Sequence, residues 1–263
     1  MEIKRMNAAR GWIWIKQGYQ LIMCSPLMSI TLALVCAFIL FVAFIIPMIG
    51  PLFAVLLMPV MICGYMRICR ALEEGEEVEL KHLFEGFQKH TAQLIALGGF
   101  AIVGLLIASI AMISIGGAAL ETLLESVKAA NDPQILVEAM GSAGLGVAFS
   151  LMVGFALVLV LVLALQYAPM LVFFRDLSPF SALRASLSGS LRNLIPYTVY
   201  SLIMQVVALV LSILPFDTGI IILLPLGLTS LYVSYRNIFP TEKEVGNAPP
   251  QNEIFQRDDQ TFS

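Results

Sequence analysis

The sequence predicts an all-α protein: a six-span transmembrane helical bundle with amphipathic cytoplasmic interfacial helices. Three observations lead there. Of 263 residues, 59% are apolar and only 13% charged, and the mean hydropathy of +0.89 lies outside the range of soluble domains. Six segments carry no Asp, Glu, Lys, Arg or His: Pro26 to Ile46, Pro51 to Met66, Ala92 to Ile115, Gly144 to Phe174, Leu194 to Leu214 and Gly219 to Tyr235. Finally, fourteen of the fifteen Lys and Arg residues fall on one side of a six-span arrangement, leaving only Lys128 on the other.

A hydrocarbon core of about 30 Å needs roughly 20 helical residues. Four segments reach that comfortably. The second and sixth are short, but Arg67 and Arg236 follow them directly, and a long cationic side chain can snorkel to the headgroups and lengthen the effective span. The first apolar run begins only near Pro26, behind MEIKRMNAAR and an amphipathic stretch. That is late for a cleaved signal peptide, so an uncleaved, multi-pass chain is expected. The charge asymmetry puts both termini in the cytoplasm and the Lys128 loop outside. A single transmembrane domain is expected over 1–239, with a disordered cytoplasmic tail over 240–263, where Pro249-Pro250 and polar residues dominate.

Between spans three and four, Leu120, Leu123, Leu124 and Val127 follow helical spacing. Asn131 and Asp132 are stop and cap signals, and Pro133 suits the first turn of a second helix reaching Met140. An external helical hairpin over about 118–140 is predicted, packing over the bundle or resting at the interface in preference to binding a partner.

Three amphipathic stretches precede spans one, three and five. Trp12, Ile15, Tyr19 and Ile22 oppose Arg10 and Gln20; Leu80, Leu83, Phe84 and Phe87 oppose Lys81, Glu85 and Lys89. Ser178 can cap a helix starting at Pro179, in which Phe180, Leu183, Leu187, Leu191 and Leu194 oppose Arg184, Ser188 and Arg192. A glycine sits in each stretch, Gly18, Gly86 and Gly189. The return spans end alike, in Tyr65-Met66-Arg67, Phe173-Phe174-Arg175 and Ser234-Tyr235-Arg236, each with a proline upstream at Pro59, Pro169 or Pro225. Three copies of one elbow-plus-hairpin unit are proposed, although the third apolar stripe slips by about one residue.

Chemistry is sparse. Cys24, Cys36, Cys63 and Cys69 form no CxxC pair and read as small hydrophobes. The ExxH at Glu79 to His82 lies in a charged loop, and the spans supply no further ligands, so no metal or other cofactor is expected; His90 is similarly isolated. No HExxH, GxSxG or intramembrane Asp pair occurs, and catalysis needs a nucleophile or ionisable group with a positioned partner, so no enzyme is expected. Gln166 and Gln205 are the most polar residues in the spans. They either pair with each other or line a cavity, and pairing is preferred because a lone amide in lipid needs a partner. Pro59, Pro169, Pro196 and Pro225 can open kinks. Arg67, Arg175 and Arg236, with Arg184 and Arg192 nearby, anchor the spans at the inner leaflet and are candidate ligands for anionic lipid.

The run QYAPMLVFFRDLSPFSALRASLSGSLRNLIPY resembles the YciC-like bacterial membrane proteins and the membrane domain attached to some glycerophosphoryl diester phosphodiesterases. GWIWIKQGYQLIMCSPLM, PMIGPLFAVLLMPVMICGYMRICRALEEGEE and HLFEGF resemble a family of uncharacterised bacterial inner-membrane proteins of about this length. The resemblance implies a helical inner-membrane protein with cytoplasmic interfacial helices and transfers no activity. The expected function is non-enzymatic: organising lipid or supporting a membrane partner, including a second copy of the chain, at the inner leaflet, with no nucleic acid involved. The alternative is a transporter or channel-like carrier of a small or amphiphilic solute, using cavities at the prolines and glutamines.

Overall fold

The computed structural model describes residues 3–129, 144–213 and 219–240. Among them the secondary structure is helical, without strands. In chain order the helices are α1 (Arg10–Cys24), α2 (Pro26–Ile45), α3 (Gly50–Glu74), a three-ten helix (Leu80–Phe87), α4 (Thr91–Ala129), α5 (Leu145–Leu165), α6 (Ala168–Arg175), α7 (Pro179–Arg192), α8 (Leu194–Leu211) and α9 (Gly219–Ile238). Six stretches are long and apolar enough to cross a membrane: Pro26–Ile45, Gly50–Glu74, Thr91–Leu123, Leu145–Arg175, Leu194–Leu211 and Gly219–Ile238. These are the six predicted spans. The tail from 241 and the second arm of the external hairpin, 130–143, lie outside the described residues.

Two spans differ from their sequence outlines for identifiable reasons. α3 continues past Met66 to Glu74 and stops at Gly75, whose φ of 70° is the left-handed C-cap conformation that glycine adopts at no steric cost. The extra residues, 67–74, project about 12 Å beyond the apolar segment at 1.5 Å per residue. The long run 144–174 is broken into α5 and α6 at Gln166 and Tyr167. Pro169 has no N–H to give to the Leu165 carbonyl, and two residues earlier Ser186 of α7 bridges the opened Leu163–Tyr167 pair: its Oγ accepts from Tyr167 N at 3.1 Å and donates to the Leu163 carbonyl at 2.9 Å. Ser190 Oγ donates to that carbonyl too, at 3.1 Å.

The chain divides into two compact units, Met1–Pro26 with Arg192–Ser263, and Leu27–Leu191. In the first, α1 packs against α8 and α9. Ile15 and Ile22 meet Leu226, and a Cβ at Gly18 would lie 2.6 Å from Ser230 Oγ. Asn193, fully buried, ties the N-terminal segment down: its Oδ1 accepts from Met6 N at 2.7 Å and its Nδ2 donates to the Lys4 carbonyl at 3.0 Å.

In the second unit, Tyr65 of α3 donates from its buried hydroxyl to the Ser29 carbonyl of α2 at 3.1 Å. α4 bends sharply at Gly117 (φ 54°, ψ −150°), a conformation open to glycine. The bend lets Leu120 and Leu123 fold back onto Val147 of α5 and Met112. The first arm of the predicted hairpin thus packs over the helices.

The three elbows share one packing rule. Each leans on the return span of the hairpin before it, and the first leans on the last: α1 on α9 through Gly18, the three-ten helix on α3 through Gly64 and Gly86, and α7 on α5 through Ser186 and Ser190. Each buried face includes small residues, and that of α7 consists of them. On α7 they are Ala182, Ser186, Gly189 and Ser190, whereas Phe180 and Leu191 of the predicted apolar stripe are exposed. On α1, Ile15 and Ile22 are buried with Gly11, Trp14, Gly18 and Leu21, while Trp12 and Tyr19 are exposed. Of the middle stripe only Leu83 is buried, with Leu80, Phe84 and Phe87 exposed.

Candidate functional site

The extension of α3 beyond the apolar segment creates a site of mixed chemistry. A cleft of about 310 Å³ opens between the end of α3, the three-ten helix and the end of α6, all within the second unit. Arg67, Arg70 and Lys89 bring positive charge to it, Glu74 and Glu85 bring negative charge, and Phe173 and Phe174 form its apolar side.

Each charge is placed by local structure. Arg67 and Arg70 sit one turn apart on α3, and Glu74 follows Arg70 at the i,i+4 spacing that favours a helical ion pair, Nε to Oε1 at 2.9 Å. Arg67 is mostly covered. Its Nη2 donates to Glu76 Oε2 at 2.8 Å and its Nε lies 3.3 Å from Glu85 Oε2, while its Nη1 is buried with no acceptor. A buried guanidinium nitrogen in that state typically costs about 1–3 kcal/mol. The hydrogen bond from Arg67 holds the Glu76 carboxyl below its usual range.

The ExxH segment has a structural use. Glu79 caps the three-ten helix in a reciprocal capping box: its carboxylate accepts from the His82 backbone, and His82 Nδ1 accepts from Glu79 N at 3.2 Å. His82 Nε2, left to carry the ring proton, faces Glu85 Oε1 at 3.7 Å. His90 is likewise engaged, its Nε2 2.6 Å from Asp176 Oδ1. Lys89 Nζ donates to the Phe173 carbonyl at 3.0 Å and pairs with Asp176 at 3.1 Å. The residues following the three-ten helix are thereby clamped to the exit of α6, and the bonds from His90 and Lys89 hold the Asp176 carboxyl below its ordinary range. Arg70 lies over the Phe174 ring, 5.5 Å from its centroid, and Lys89 lies 5.7 Å from that of Phe173.

Of the arginines singled out from the sequence, one lines the cleft. Arg67 lines the cleft, Arg175 is half-buried at the end of α6, and Arg184 and Arg192 are exposed on α7. Arg236 is half-buried in α9, in the other unit. Gln166 caps α5 beside the break, and its Oε1 is buried without a partner; Gln205 is exposed on α8. All four cysteines are free thiols, Cys24 exposed and the others buried.

Sequence reasoning missed Glu74, Lys89 and Asp176 as parts of one site, together with the buttressing Ser186 and Asn193. The i,i+4 spacing of Arg70 and Glu74 was the available signal for the first. Nothing local marks the others, whose partners are distant in the chain.

A curated protein of Burkholderia thailandensis, described as a probable inner membrane protein, is 29% identical over 216 residues, covering 81% of this chain and 78% of the relative. No family model matches the chain, and no solved structure matches it. With six apolar spans, the similarity supports a multi-pass location in the inner membrane. The chain is an integral membrane protein.

Proposed function

We propose that the protein is non-catalytic and organises lipid, or holds a membrane partner, at the inner leaflet, with both termini in the cytoplasm. The observation that carries this reading is the exposed apolar side of the elbows. Trp12 and Tyr19 on α1 are 54% and 53% exposed, and Phe180 and Leu191 on α7 are 70% and 50% exposed. The opposite sides are occupied by the protein's own packing. Side chains of this kind belong at the boundary of headgroups and acyl chains, where full burial of each is worth about 1.5–3 kcal/mol.

Arg184 and Arg192 are exposed on α7 and add roughly 1 kcal/mol each beside anionic headgroups. Both histidines are engaged, one in a cap and the other in a hydrogen bond to Asp176. The resemblance to YciC-like proteins and to phosphodiesterase membrane domains agrees with this layout. A second reading, a carrier of a small or amphiphilic solute, is favoured by the helix break at Gln166 with its unpartnered amide oxygen.

The lipid role is tested by lipid mass spectrometry of protein purified in mild detergent. Replacing Arg175, Arg184, Arg192 and Arg236 together with Gln, while Arg67 is kept, is expected to remove roughly half or more of the co-purified anionic phospholipid, given about 1 kcal/mol for each of the exposed Arg184 and Arg192. An unchanged amount and class of phospholipid would contradict it.

A further inference from the structure

We propose that the cleft at the end of α3 holds the headgroup of a zwitterionic phospholipid, a phosphodiester linked to a primary ammonium such as ethanolamine. This rests on the lipid-organising reading and names the lipid.

Depth comes first. Arg67 directly follows the apolar part of α3, and Phe173 and Phe174 close α6 just before Arg175, so the cleft sits where two spans leave the hydrocarbon. Its volume of about 310 Å³ is at the small end of ligand sites. That suits a headgroup whose glycerol and chains continue into the bilayer.

Charge then selects the headgroup. A site for a purely anionic lipid would present cations alone, but Glu74 and Glu85 share this lining with Arg67, Arg70 and Lys89. A phosphate brought to the arginines meets the carboxylates as well, and an ammonium on the same headgroup turns that repulsion into attraction. Arg67 and Arg70, which both line the cleft, supply the guanidinium groups that a phosphate pairs with.

The ammonium is assigned as primary for a separate reason. Quaternary ammonium groups are recognised by open aromatic faces. The two phenylalanine rings of the cleft already carry Arg70 and Lys89, whereas carboxylates accept the N–H bonds of a primary amine.

The test is native mass spectrometry of the full-length protein in nanodiscs holding equal amounts of phosphatidylethanolamine, phosphatidylglycerol and phosphatidylcholine. The wild type is expected to retain phosphatidylethanolamine preferentially. Arg67→Gln should lower that retention roughly tenfold, the loss expected for one charge-assisted hydrogen bond. Because Arg67→Gln also strips Glu76 and Glu85 of their partner, Glu74→Gln with Glu85→Gln provides the second arm. This double variant should keep a bound lipid and shift its preference to phosphatidylglycerol.

Equal retention of the three lipids, or a wild-type preference for phosphatidylglycerol, overturns the headgroup assignment and leaves the lipid-organising reading standing. Retention of no lipid overturns both. Soluble glycerophosphoethanolamine, added in detergent, should bind far more weakly than the lipid; equal affinity would show that the ligand is a free phosphodiester and overturn the assignment to lipid.

Discussion

Gly64→Ala is expected to destabilise the protein by about 3 kcal/mol or more, beyond the usual range for an overpacked core. A Cβ at Gly64 would overlap the backbone carbonyl of Leu83 in the three-ten helix. Backbone cannot turn aside as a side-chain tip can, so either the elbow leaves α3 or α3 bends. Gly99→Ala is the matched control, since nothing lies within 4 Å of a Cβ there. Inside α4 it should raise stability by up to about 1 kcal/mol through helix propensity. Thermal unfolding in detergent separates the two, Gly64→Ala lowering Tm by roughly 6–12 °C on the scaling for chains of this size. Equal Tm values for the two variants would show that the three-ten helix does not sit on α3.

Ser186→Ala is the second large effect. It leaves the Tyr167 N–H without its acceptor and takes one of two donors from the Leu163 carbonyl. An unsatisfied buried amide costs about 1–3 kcal/mol. Ser190→Ala should cost less, because Leu163 keeps its bond from Ser186. Hydrogen exchange at the Tyr167 amide reads this directly: Ser186→Ala accelerates it roughly tenfold or more, and Ser190→Ala leaves it near the wild-type rate. Equal rates in the two variants would remove Ser186 from the break.

The spans were legible because a charge-free run of about 20 residues has few other uses. The positions of the elbows were legible too, from Ser178-Pro179 and from the aromatic-Arg exits before them. Which side of an elbow meets the protein was not. The large apolar stripe, Phe180, Leu183 and Leu187 among it, reads as the interfacial side of the helix, and no residue on the opposite side stands out as a packing contact. At a membrane surface lipid can cover that stripe, and helices approach one another through glycine, alanine and serine, so Ala182, Ser186 and Gly189 face inward instead.

The cleft was half legible. Arg67 stood out as a boundary residue, but of its partners Glu76 lay in ALEEGEEVELKH, which composition reads as a solvated loop, and Glu85 on the polar side of the middle elbow. Only the continuation of α3 to Glu74 and the return of the three-ten helix bring Arg67 to Glu76 and Glu85. Pro169 signalled a break in the fourth span, while Ser186, which repairs it, lies 19 residues from Tyr167 and carries no mark of that role.

Both the lipid role and the headgroup assignment require the elbows and the cleft to face the cytoplasm, and cysteine labelling in spheroplasts measures this most directly. Cys24 is the one exposed native thiol among the described residues, so Cys24→Ser gives a quiet background for two single replacements at exposed positions, Lys128→Cys and Arg184→Cys. Lys128→Cys is predicted to react with an impermeant maleimide in intact spheroplasts, and Arg184→Cys only after the membrane is opened. Labelling of Arg184→Cys from outside, with Lys128→Cys protected, would contradict an inner-leaflet site.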